Sequence, residues 1–178
     1  MKKCTLLMCV MLLLCACSNT VEKPSVVKYV DGLIRMYPNY RSNDIAESAL
    51  LDSIAKHNRP IGQIASDLKG VDFRYVRLIE NQNDGSKSAL FVSDGCVSDI
   101  ENPNGSPKYL ITDIHIRVLG GVDAETAAIL DGNSKYQISG VLHAWDSEDV
   151  FFATHKVGPC VDFGTYILDD MVVTAVKQ

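Results

Sequence analysis

At Gly70 the spacing of apolar residues changes, and that change constrains the architecture of the chain more than any other feature. Before it, Val26, Val27, Val30, Leu33, Ile34 and Tyr37 recur at helical spacing until Pro38, and Ile45, Ala46, Ala49, Leu50, Ile54 and Ala55 repeat the pattern until Asn58. Ser42-Asn43-Asp44 offers an N-cap for the second of these helices. Pro60 suits the opening of a third short helix carried by Ile61, Ile64, Ala65 and Leu68, with Gly70 as its left-handed terminator. After Gly70 the period falls toward two, so a helical stretch over residues 25–70 is expected to precede a β region over residues 71–178.

In that β region, strands are expected over Phe73 to Glu80, Ser86 to Ser93, and Lys108 to Leu119, which Gly120-Gly121 would close. Asn81 to Gly85 reads as a turn, and Asp94 to Pro107 as a long polar loop. Asp123 suits the cap of a brief helix through Leu130. Lys135 to Trp145 alternates best of all. Tyr136, Ile138, Gly140, Leu142 and Ala144 share one face, opposite Gln137, Ser139, His143 and Trp145. Gly140 in its middle fits a bulge or sharp bend. Asp146 to Asp149 turns the chain into a strand over Val150 to Val157, a Gly158-Pro159-Cys160 loop follows, and Tyr166 to Lys177 supplies the last strand. Without the strand at 150–157, the order is three strands, a short helix and two strands. It resembles the OB-fold, in which a helix between the third and fourth strands plugs one end of a five-stranded barrel. The expected class is therefore α+β, with an N-terminal helical segment and a small OB-like, mostly antiparallel β-barrel of five to six strands. A cystatin-like or sandwich arrangement is the alternative that the extra strand leaves open.

The first residues read as an address. Lys2 and Lys3 precede an apolar run from Thr5 to Leu14, which is shorter than the roughly 20 residues needed to span a bilayer. Leu14-Cys15-Ala16-Cys17 resembles the lipobox of bacterial lipoproteins. The resemblance implies a signal peptide over residues 1–16, cleavage before Cys17, a diacylglyceryl group on the Cys17 thiol, and a tether over residues 17–24. Ser18 after the lipidated cysteine implies passage to the outer membrane. Taken whole, the chain is similar to uncharacterised small lipoproteins of Gram-negative envelopes, in which OB-like barrels follow a helical segment. Cleavage would remove two lysines and no acid, moving the formal net charge from −5 to −7. An acidic surface disfavours nucleic acid and anionic lipid as partners by charge, so the membrane is met through the anchor alone.

Cys96 and Cys160 are the cysteines left beyond the signal and the lipidated position, and in an oxidising envelope they are expected to form a disulfide. His57, His115, His143 and His155 lack the spacing of a metal site, and no cofactor or metal is expected. Asp94, Asp99 and Glu101 in the polar loop do not match a calcium loop and read as a solvated turn. Asp169 and Asp170, adjacent in a strand, should point to opposite faces and so cannot act as a carboxylate pair. No nucleophile elbow, P-loop, His-Glu-x-x-His motif or dinucleotide fingerprint is present, so catalytic residues are not assigned. His143 and Trp145 on the outward strand face, with Phe151 across the hairpin, are the candidate ligand contacts, against the plainer role of packing under the helices. The functional expectation is an envelope lipoprotein serving as a non-catalytic binding or assembly module for a protein or glycan. A small hydrolase-type envelope enzyme and an inhibitor of a secreted enzyme are the rival readings.

Overall fold

The computed structural model describes residues 22–97, 113–146, 152–155 and 158–177. Cys17, Phe151, Asp99 and Glu101 lie outside them. The chain is α+β: helices α1 (Ser25–Met36) and α2 (Asp44–Ala55), a 3-10 turn at Ser66–Leu68, strands β1 (Phe73–Glu80), β2 (Lys87–Ser93) and β3 (Asp113–Val122), helix α3 (Ala124–Ile129), and strands β4 (Lys135–Asp146), β5 (Phe152–His155) and β6 (Gly158–Ala175). One mixed sheet runs β3-β2-β1-β4-β6-β5, and β3 also pairs with β6. That last pairing is parallel while the others are antiparallel, and it brings five strands back on themselves in a ring, with β5 added to β6 on its outside.

Local sequence accounts for most elements. The apolar stripe of α1 is buried at Val26, Val27, Val30, Leu33 and Ile34, and each such side chain contributes about 1.5 to 3 kcal/mol when removed from water. The Asn43 side chain accepts from the N–H groups of Ile45 and Ala46, satisfying two of the orphan donors that open α2. Along β4, Tyr136, Ile138, Gly140 and Leu142 are buried and Gln137, Ser139 and His143 exposed, as period two requires. The helices and the ring share one apolar core, which runs from Val26 and Leu50 to Phe73, Phe91, Ile116, Tyr136, Phe163 and Leu168.

Four expectations are corrected. No third α-helix follows Pro60; the chain turns at Ile61 and Gly62 and then meets β4 through an isolated bridge at Ile64, and only the 3-10 turn at Ser66–Leu68 is helical. Gly62, at φ +78°, leaves the helical basin, and the backbone groups that a helix would use internally are spent on β4. Gly120 and Gly121 lie within β3 instead of closing it. A Cβ on Gly120 would come within 2.8 Å of the Met171 sulfur, so the missing side chain lets β6 approach. The β4–β6 ladder is irregular at Gly140, as expected, with the extra residue there on the β6 side: Ser139 faces Val172 and Val141 faces Asp169, and Asp170 takes φ +48°. Asp169 and Asp170 therefore straddle a bulge and do not simply alternate. Lastly, Gly158 to Cys160 is strand, because β5 pairs with it.

Candidate functional site

The stretch before β1 creates a concavity. Gly62 donates to the Leu142 carbonyl (2.8 Å), Leu142 donates to the Gln63 carbonyl (2.8 Å) and Ala65 donates to the Gly140 carbonyl (3.0 Å), so residues 61–65 cover the edge of β4 that faces away from β6. The 3-10 turn then lifts the chain off, and Gly70, at φ +77°, redirects it into β1. β1 rejoins the same edge only at Phe73 and Arg74, opposite Tyr136 and Lys135. Between these two covers the edge of β4 from Gln137 to Ser139 is bare, and a groove of about 350 Å³ opens there, lined by Ile64, Leu68, Lys69, Gln137, Ile138 and Ser139 among others. Its volume falls within the range of about 300 to 1,000 Å³ usual for small-ligand clefts.

The bare edge carries backbone hydrogen-bonding groups. Gly140 and Leu142 direct theirs to residues 61–65, and Lys135 accepts from Val176 on the β6 side. Because every second residue of a strand presents its N–H and C=O to the same edge, Ile138 presents both to the groove while burying its side chain in the core. Ile64, 63% exposed, stands on the rim as an apolar side chain facing water, and Lys69 is the charged residue of the lining.

Behind the groove a polar cluster fixes the stretch that shapes it. Arg59 Nε donates to the Tyr166 hydroxyl (2.8 Å), its Nη1 donates to the carbonyls of Ile54 and His57 (3.1 and 3.0 Å), and its guanidinium stacks 3.6 Å from the centre of the Trp145 ring. Asp67 accepts from the Tyr166 hydroxyl (2.7 Å) and pairs with His57 Nε2 (3.0 Å). Tyr29 of α1 stacks on the His57 ring with centroids 4.1 Å apart. Burial alone would raise the Asp67 carboxyl. Hydrogen bonds from His57 and Tyr166, with the charges of His57 and Arg59, outweigh it and hold the group below the usual carboxylate range. Burial first, and then the negative charge of Asp67, push the Tyr166 phenol far up, so it stays a neutral donor. The Arg59 Nη2 is buried without a hydrogen-bond partner, a cost that the stacking and four-residue network around it must offset.

The expected ligand contacts do not converge. His143 is exposed and its Nδ1 pairs with Asp169 across the bulge at 3.0 Å. Trp145 is half-buried, covered by Arg59, and its Nε1 donates to the Phe163 carbonyl at 2.8 Å, so it packs the 59–65 stretch onto the sheet. Phe151, the third member, is outside the described residues. Asp94 pairs with Arg74 (2.8 Å) and Lys135 (2.9 Å), which ties the start of β1 to β4. Cys96 and Cys160 are both buried as thiols, and the expected disulfide is not formed. The Cys96 carbonyl accepts from Ile114 on one edge of β3, while Cys160 pairs with Asp113 on the other.

No signal in the sequence marked the groove, because its lining comes from three separated stretches and its defining feature is a gap in strand pairing. The exposed Ile61 and Ile64 after Pro60 were its nearest trace. Among the described residues no group of three or more His, Cys, Asp or Glu could hold a metal ion, and no helix is long and apolar enough to cross a membrane. Compared with protein-family models, with curated proteins and with solved structures, the chain matches none.

Proposed function

We propose that the protein is a lipid-anchored component of the bacterial cell envelope whose OB-like barrel acts as a non-catalytic binding module, with the groove beside β4 as its ligand site. The closed circuit β1-β2-β3-β6-β4, with its parallel β3–β6 pairing and α3 between the third and fourth strands, supports the OB-like reading. The lipobox-like Leu14 to Cys17 supports the anchor, and Ser18 supports the outer membrane as its destination. The observation that carries the binding role is the bare edge of β4 in a groove lined by apolar and neutral polar residues and one cation, Lys69. That chemistry suits holding a ligand, whereas the half-buried His57–Asp67 pair is packed by Tyr29 and Arg59 and tied to Tyr166, an arrangement that suits holding the fold.

Two measurements test this. Mass spectrometry of the membrane fraction is expected to find an N-terminal acylated Cys17, and Cys17→Ser to release the protein or leave its precursor uncut. A photo-crosslinking amino acid at Gln137 is expected to capture a discrete species in cells, and the same group at Glu80, at the far end of β1, is expected to capture none. Equal or absent capture at both positions overturns the groove as the ligand site.

A further inference from the structure

We infer that the groove takes an extended peptide segment, bound by backbone pairing to Ile138 and ending near Lys69 in a carboxylate. The inference rests on the binding reading above and names the ligand class. Ile138 presents one N–H and one C=O to the groove, between Tyr136, which β1 covers, and Gly140, which residues 61–65 cover. An N–H and a C=O on one edge, one residue long, are the complement of another strand's backbone, the feature by which exposed sheet edges recruit peptides. Residues 62–65 already use the next part of that edge, meeting it through backbone hydrogen bonds and an isolated bridge between Ile64 and Val141.

The lining fits the side chains of such a segment. Ile64 offers apolar surface on one wall, and Gln137, Ser139 and Thr174 offer neutral hydrogen-bonding groups on the other. Lys69 is a cation in a chain of formal net charge −5. It already acts on a carboxylate: the Glu22 carboxyl is held below its ordinary range by Lys28 first and by Lys69 as well. The edge is bare over about three residues, so the segment it accepts is short, with an apolar residue beside Ile64 and a carboxylate, terminal or from a side chain, near Lys69.

The probe is a pool of random hexapeptides with free carboxyl termini, applied to the full-length protein in detergent, with hydrogen exchange read at Ile138. Selected peptides are expected to slow exchange of the Ile138 amide. Methylating the backbone nitrogen that pairs with Ile138 is expected to weaken them at least tenfold, and Lys69→Ala about fivefold, the scale of an exposed ion pair. Ser66→Trp, which fills the groove from an exposed position, is expected to abolish binding without moving the unfolding midpoint. Peptides that bind equally well when N-methylated, or that bind Ser66→Trp unchanged, overturn the inference. An N-acetylglucosamine tetramer serves as the contrasting probe: if it protects the groove and peptides do not, the peptide class falls while the groove stands as a ligand site. If neither protects it and Gln137 captures nothing in cells, both readings fall.

Discussion

Arg59 illustrates how one buried cation fastens a segment that propensity alone would leave loose. Its side chain is 3% exposed, and it reaches Tyr166 and Trp145 on the sheet and carbonyls at the end of α2, with Asp67 3.8 Å away. Removing one partner of a buried pair leaves the other charge desolvated, so Arg59→Met is expected to cost about 3 kcal/mol. The protein has one tryptophan, and it lies under Arg59, so the same variant should shift Trp145 emission to the red. An unchanged denaturation midpoint and emission would show that the cluster does not hold the 59–65 stretch. Asp67 adds a pH dependence whose sign follows from its lowered folded pKa. Its contribution is complete above the unfolded value of about 3.9 and is lost as pH falls from there through the folded value. Stability measured across that acid window should therefore fall less steeply in Asp67→Asn than in the parent, relative to each protein's value at pH 7. Identical slopes would place the acid sensitivity elsewhere.

At the scale of elements, what was legible was what local periodicity decides. The stripes of α1, the cap of α2 and the alternation of β4 are set by residues within a few positions of one another, and they form as read. The 61–65 stretch was misread as helix because Ile61, Ile64, Ala65 and Leu68 keep helical spacing, while the competing partner is the edge of β4, some 80 residues away. Trp145 left both a ligand contact and a packing role open, because the Arg59 that covers it is equally remote in sequence. The start of β6 was hidden by Gly158 and Pro159, which read as a loop until β5 pairs with them. One consequence is testable at Gly164, inside β6. Its φ is +79°, and a Cβ there would collide with the Asp146 carbonyl oxygen, at the point where β4 and β6 pair beside Trp145. Gly164→Ala is expected to cost about 2 kcal/mol from the left-handed backbone alone, and the collision adds to it. A chemical denaturation midpoint equal to the parent's would mean that the two strands separate there at little cost.

For the molecule as a whole, the place where the chain enters the fold decides which face an anchor would turn to the membrane. Pro24 precedes α1 and lies against Gly70, where a Cβ would meet its Cα at 3.7 Å, and Gly70 lines the groove. The seven residues from Ser18 to Pro24 span at most about 25 Å when fully extended. Were Cys17 acylated as proposed, the groove mouth would be held near the bilayer by that tether, whereas Glu80, seven residues along β1 from Phe73, would be carried roughly 23 Å further along its strand. A ligand segment reaching the groove would come from the membrane-facing side, which favours partners that are themselves anchored or embedded. A dye on Gln137→Cys should transfer energy efficiently to acceptor lipids, and one on Glu80→Cys less so. Cys96 and Cys160 are 4% and 2% exposed, so the introduced thiol is the one labelled under native conditions. Inserting a flexible twelve-residue linker after Ser18 should lower transfer at Gln137 and narrow the difference between the two sites. Equal transfer from both positions in the parent would mean that the tether leaves the domain free to turn, and the groove would then have no preferred side.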